Sequence, residues 1–183
     1  MIYLFLAQGF EEIEALATLD VLRRAEIEVY SVGIGAKTVT GSHGIPVVCD
    51  VMDCEIAVSD DVEGIVLPGG IPGTLNLEKS DTVLSFIEHC DNEKKTIAAI
   101  CAAPSILGHL RLLEGKRAVC FPGYEQELKN AILLDIPVCV DDNIITAKGA
   151  GVSIAFALEI VKLLKGETLA AHLEAAMQCV NSI

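Results

Sequence analysis

Short, almost wholly apolar runs separated by helical patterns constrain this chain more than any other feature. Ile2 to Ala7, Gly64 to Pro68 (GIVLP) and Thr96 to Ile100 (TIAAI) lack the in-out alternation of a half-solvated strand. A strand that is apolar on both sides must be covered on both sides, as parallel strands joined by helical crossovers are. The segments between the runs supply those helices. One pattern follows Gly9 and continues to about Ala25. Another starts at Ser80-Asp81 and carries Val83, Leu84, Phe86 and Ile87 on one face. Further patterns run from about Ala103 to Leu113, from Glu125 to Ala131, from Gly151 to Leu164 with a stop at Gly166, and from about Glu167 onward. Glu28 to Ile34 and Arg117 to Phe121 read as strands, Lys37 to Cys49 as two short β runs broken by Gly41, Gly44 and Pro46, and Val138 to Lys148 as a hairpin turning at Asp141-Asp142-Asn143. With no linker, repeat or low-complexity tract, the expectation is one α/β domain over residues 1–183. Its form is a three-layer, flavodoxin-like sandwich with a mostly parallel central sheet.

Charge narrows the classes of partner. Thirteen basic residues stand against 26 acidic ones, a net charge of −13 with the histidines neutral. A surface that binds nucleic acid or an anionic membrane needs a basic field that this balance does not provide, so neither partner is expected. No apolar stretch is long enough to span a bilayer. The start, MIYLFLAQGFEE, has no basic segment and turns acidic, so a cytoplasmic protein is expected. The four histidines, His43, His89, His109 and His172, are isolated in sequence, and no Cys/His pair has metal-ligand spacing. No metal is expected. With no glycine-rich phosphate loop either, the expectation is no cofactor.

Open parallel sheets bind ligands beyond the carboxyl ends of their strands, and chemistry-bearing residues sit there. Cys101 follows TIAAI directly and precedes Ala102-Ala103-Pro104, with proline suited to a first helical turn. This is the layout of a nucleophile elbow, and a thiol at a helix N-terminus has its thiolate favoured. A buried packing cysteine fits the same apolar surroundings. Gly69-Gly70 ends GIVLP, and two glycines can turn the backbone so that N–H groups face a neighbouring strand end. An ordinary strand-to-helix turn explains them equally. Glu11, Glu12 and Glu14 open the first helix. The helix dipole accounts for Glu11 and Glu12, whereas Glu14 shares a stripe with Ala17, Val21 and Ala25 and turns inward. An inward carboxyl has a raised pKa and suits general acid/base work.

Taken together, GFEEIEA (Gly9 to Ala15), VLPGG (Val66 to Gly70), AAICAAP (Ala98 to Pro104) and KGAG (Lys148 to Gly151) resemble the signatures of the ThiJ/PfpI superfamily, in the branch of the parkinsonism-associated deglycase and its bacterial relatives. The resemblance covers the whole chain. It implies a homodimer with an easily oxidised nucleophile at Cys101. Glu14 would be a protonated carboxyl bonded to the sulfur, and the N–H groups of Gly70 and Ala102 an oxyanion site. The implied activities are glutathione-independent glyoxalase, repair of glycation adducts, redox-dependent chaperoning and, in one branch, peptidase. The substrate expected is therefore a small aldehyde or dicarbonyl. The alternative is a non-catalytic redox sensor or chaperone-like protein in which Cys101 is oxidised to sulfinic acid.

The chain departs from the family pattern at the histidine many relatives carry. Its two usual positions are Ala102 and Phe121 here, and the departure weakens a peptidase reading. His43, in the loop before Pro46, is a candidate to reach the site. Gly69 and Lys148 are candidates to bind substrate, Lys148 through an anion. By the same resemblance Cys49 is a peripheral oxidation candidate near a dimer interface. Cys54, Cys90, Cys120, Cys139 and Cys179 are expected to be packing residues.

Overall fold

The first apolar run explains the architecture. In the computed structural model, which describes residues 1–179, Ile2–Leu6 (β1) is buried along its whole length. It pairs in parallel on both sides, with Val29–Gly33 (β2) and with the GIVL strand Gly64–Leu67 (β6). Between these lie α1 (Glu12–Arg24), an antiparallel hairpin of β3 (Thr38–Thr40) and β4 (Pro46–Val48), and the short edge strand β5 (Val51–Met52). After β6 come α2 (Gly73–Glu78), α3 (Asp81–Asn92), β7 (Thr96–Ile100) and α4 (Pro104–His109). The chain then forms β8 (Arg117–Ala118), β9 (Ile132–Leu133), β10 (Val138–Asp141), β11 (Ile144–Ala147), α5 (Ser153–Lys165) and α6 (Glu167–Ala176). The central sheet has seven strands in the order β10-β11-β7-β6-β1-β2-β5, and every pairing is parallel except β10 with β11. It is the expected three-layer α/β fold with a mostly parallel sheet.

Residues alternate between two cores as the pleat requires. Leu4, Leu6, Ala98, Ile100, Ile145 and Ala147 join Leu19 and Leu22 of α1, Phe156 and Ile160 of α5 and Leu173 of α6 on one face. Tyr3, Phe5, Leu67, Ile97 and Ala99 join Leu77 of α2, Phe86 and Ile87 of α3 and Ile106 and Leu107 of α4 on the other. The crossover from β1 to β2 uses one face and that from β6 to β7 uses the other. Strand order therefore reverses between β1 and β6, and a crevice opens beyond their carboxyl ends.

Three expectations about elements are corrected. The helix after Cys101 ends at His109 rather than near Leu113. Arg111 takes a left-handed φ of 64°, and Gly108 packs so closely on the Glu127 backbone that no side chain fits there. Glu125 to Ala131 holds only a 3-10 turn at Glu125–Glu127, because Asn130 is left-handed and the stretch is too short to recover the cost of helix nucleation. The strand expected over Arg117 to Phe121 pairs only through Arg117 and Ala118. Beyond them the backbone finds other acceptors, with Val119 N–H donating to Thr146 Oγ1 at 3.0 Å and Phe121 N–H to the Cys101 carbonyl at 2.8 Å.

Candidate active site

The elbow forms where β7 ends. Cys101 has φ 65°, a left-handed conformation that costs a non-glycine residue roughly 1–2 kcal/mol and persists only where the surroundings enforce it. They do so here. Cys101 N–H donates to the Ala147 carbonyl at 2.9 Å, its carbonyl accepts from Phe121, and Ala103 N–H closes the turn onto Ile100 at 3.0 Å. The thiol is half-buried, and the N–H groups of Ala102 and Gly70 point at its sulfur. These are the two donors that the family resemblance implies for an oxyanion site.

Gly69 and Gly70 are required by contact as well as conformation. A Cβ built on Gly69 would lie 2.6 Å from Cys101 Cβ and 2.8 Å from Glu14 Oε2, so any side chain there would push thiol and carboxyl apart. Gly70 has φ 89°. The N–H of Gly69 donates to Glu14 Oε2 at 2.8 Å. Gly69 thus positions the carboxyl, a different task from the substrate binding expected of it.

Glu14 is 1% exposed, as its stripe predicts. One oxygen is held by Gly69, while Oε1 is buried and has no hydrogen-bond partner. Burial pushes its carboxyl up to about 7, against the Gly69 N–H and the Cys101 side chain, which pull it down. The thiol answers in kind. Burial first, then the charge and hydrogen bond of an ionised Glu14, push it up to about 12, opposed by the Ala102 and Gly70 N–H groups. The preference for the thiolate expected at a helix N-terminus is opposed here. The helix behind Cys101 has only six residues, and the nearby carboxylate opposes it. Carboxyl and thiol share one ionisation. With the proton on Glu14, the carboxyl turns from a repelling neighbour into a donor, and its effect on the sulfur reverses.

The other candidates lie apart from this pair. His43 is exposed, and its ring bonds are to Glu12, with Nδ1 2.9 Å from Oε2, and to Ser42 at 3.2 Å. Isolated in sequence, it is not isolated in space, since one ligand atom each from Glu11, Glu12 and His43 lie within 4.8 Å of one another. Glu12 is itself buried at 4% exposure. It accepts from the backbone N–H of His43 at 2.8 Å and of Ile45 at 3.4 Å, and from Ser42 Oγ at 3.3 Å. Its carboxyl is held below the ordinary value although burial opposes that. Lys148 is in an ion pair with Asp135, so its charge does not stand free for a substrate anion. Cys54 is exposed in a 3-10 turn and Cys179 is half-exposed, so neither is the packing residue expected, whereas Cys49, Cys90, Cys120 and Cys139 are buried.

Phe121 stands where relatives carry a histidine, and its ring lines the site beside Gly149. A Cβ on Gly149 would lie 3.2 Å from Phe121 Cδ2 and 3.8 Å from Glu14 Oε1. The signal for it was available in the motif CFPGY, where an apolar residue fills a polar position. A larger cavity of about 730 Å³ lies among α1, α5 and α6, but neither Cys101 nor Glu14 lines it.

A mostly parallel seven-stranded sheet with a left-handed cysteine at the end of β7 and a buried carboxyl against it defines a flavodoxin-like protein with a cysteine at its strand-to-helix elbow. The chain belongs to the DJ-1/PfpI family, whose pattern it matches over residues 1–163. It is 35% identical to protein dj-1beta of Drosophila melanogaster over 165 residues, covering 88% of each chain. It is 31% identical to the deglycase PH1704 of Pyrococcus horikoshii, covering 87% of this chain and 96% of that one. It spans only 37% of the length of the Arabidopsis thaliana DJ-1 homolog B, to which it is 36% identical. The crystal structure of Drosophila DJ-1beta superposes with a TM-score of 0.93 at 31% identity over 98% of both chains. Among the described residues no helix is long and apolar enough to cross a membrane.

Proposed function

We propose that the chain is a cysteine-dependent enzyme of the glutathione-independent glyoxalase or deglycase type, acting on reactive dicarbonyls or early glycation adducts. The observation that carries this reading is the buried Glu14 carboxyl, which interacts with the Cys101 thiol and keeps one oxygen unpartnered, with two backbone N–H groups directed at the same sulfur. A relative named a deglycase supports it.

The steps follow from that geometry. Cys101 Sγ adds to the aldehyde carbon of a 2-oxoaldehyde, and its proton passes through Glu14 to the carbonyl oxygen, giving a hemithioacetal. The Gly70 and Ala102 N–H groups stabilise the oxyanion as it forms. Glu14, ionised again, removes the hydrogen from that carbon and delivers it to the neighbouring carbonyl oxygen, giving an enediol; it then takes the proton of the first hydroxyl and delivers it to the neighbouring carbon. The product is a 2-hydroxyacyl thioester. Water then cleaves the thioester, releasing the hydroxy acid and restoring the thiol. A carboxyl titrating near 7 is well placed to act as acid and base in turn. No histidine is needed, because these proton transfers are within reach of one side chain. The test is lactate formation from methylglyoxal without glutathione. Wild-type protein is expected to produce it and Cys101→Ala to show only the uncatalysed rate. Turnover that survives the substitution overturns the reading.

The second reading, a redox sensor, is supported by the same donors, since the Gly70 and Ala102 N–H groups and a protonated Glu14 would also hold a sulfinate. Peroxide that leaves Cys101 unmodified while oxidising the exposed Cys54 would end it. The active assembly is proposed to be a homodimer in the cytoplasm. Supporting self-association, Ile13 and Ile45 flank Glu12 with their side chains exposed, at 57% and 51%.

A further inference from the structure

We propose that the groove beside the elbow is a subsite for an apolar substituent and that Phe121 sets its specificity. The enzyme would then favour 2-oxoaldehydes bearing an aryl or branched alkyl group over methylglyoxal. This inference rests on the dicarbonyl reading above and names the substrate class within it.

Three observations converge. The Phe121 N–H donates to the Cys101 carbonyl at 2.8 Å, which ties the ring's position to the residue that carries the nucleophile. The ring and the unpartnered Glu14 Oε1 both face Gly149, where a Cβ would lie 3.2 Å from the ring and 3.8 Å from that oxygen. From that point a groove of about 320 Å³ continues along Phe121, Pro122, Lys148 and the Gly149–Val152 turn. Its only charged lining residue, Lys148, is engaged by Asp135.

With the two carbonyl carbons held between Sγ and Oε1, the third substituent leaves through this groove. A charged or hydroxylated substituent would lose its water there without gaining a partner. An apolar one covers the face of a ring that is otherwise 47% exposed, and gains from the area removed from water.

Two paired measurements test the subsite separately from the reaction. The first compares kcat/KM for phenylglyoxal and methylglyoxal. The second compares the rates at which iodoacetanilide and iodoacetamide alkylate Cys101, each normalised to a free cysteine peptide. The aryl member of each pair is expected to be favoured by about tenfold in wild-type protein, the scale of one partly buried ring. In Phe121→Ala both ratios should fall close to one, and Phe121→Leu should keep most of the preference. A normalised labelling ratio near one in the wild type overturns the subsite, whatever the turnover. Aryl-selective labelling lost in Phe121→Ala, with neither dicarbonyl consumed, supports the subsite and overturns the dicarbonyl reading instead.

Discussion

Glu12 and Glu14 stand two residues apart at the start of one helix, both buried, and the fold treats them in opposite ways. Glu12 is latched by the hairpin loop, with two backbone N–H groups, a serine hydroxyl and a histidine ring around its oxygens. Its negative charge is compensated, and its carboxyl titrates below the ordinary range. Glu14 receives one N–H from Gly69, leaves Oε1 empty-handed, and is pushed up to about 7. Burial alone therefore does not distinguish a structural carboxylate from a reactive one. Saturation of its hydrogen bonds does. The carboxyl with the unsatisfied oxygen is the one that interacts with the thiol.

The sharpest way to break this contrast is kinetic. Glu14→Gln preserves shape but cannot take a proton, so turnover of methylglyoxal should fall by about 10²–10⁴-fold, the usual contribution of a placed general base. Alkylation of Cys101 should persist in that variant. If turnover falls by less than about threefold, Glu14 is not the base.

Stability against pH should separate the two carboxyls by sign. Glu14 binds its proton more tightly in the native state, so between its ordinary value of 4.5 and about 7 the native protein holds a proton that the unfolded chain has released. Stability then falls as pH rises through that window, by about 3 kcal/mol for a shift of this size. Glu14→Gln should remove that slope in urea unfolding. Glu12 has a depressed value, so its contribution is present above 4.5 and is lost as pH falls through its folded value. A Glu12→Gln curve should converge on wild type in acid, whereas a Glu14→Gln curve should separate from it as pH rises from 4.5 to about 7 and stay separated above.

A smaller effect follows from emptying the latch. Glu12→Ala leaves the N–H groups of His43 and Ile45 without their acceptor and should cost about 2 kcal/mol in urea unfolding at pH 7, the scale of unpaired buried donors. Smallest of all is His43→Ala, which should leave turnover within about twofold, because its exposed ring serves the latch and not the thiol. A tenfold loss of turnover there would return His43 to the site.

The sequence carried much of this. Apolar runs without alternation specified a parallel sheet covered on both faces, and small residues around Cys101 and after GIVLP located the elbow and its donors. The stripe through Val21 and Ala25 turned Glu14 inward, since helical spacing is a local property. What stayed hidden depends on contacts between distant segments. Glu12 reads as a solvated helix start until a loop some thirty residues on closes over it, and no spacing within the helix announces that loop. Gly69 looks like a turn residue, but its N–H orients a carboxyl 55 positions away. Phe121 looks like a lost histidine until its ring is seen against Gly149. Cys54 reads as a packing thiol because apolar composition favours burial, while its turn lies at the sheet's far edge beside β5.

One titration tests the central claim most directly. Protein labelled with ¹³C at the glutamate carboxyl carbon would be followed by NMR from pH 3 to 9, with the two signals assigned by their loss in Glu14→Gln and Glu12→Gln. The account predicts a midpoint near 7 for Glu14 and one below 4.5 for Glu12. A Glu14 midpoint at or below 4.5 would contradict it, because a carboxylate already ionised and satisfied at that pH could not hold the proton that the chemistry requires.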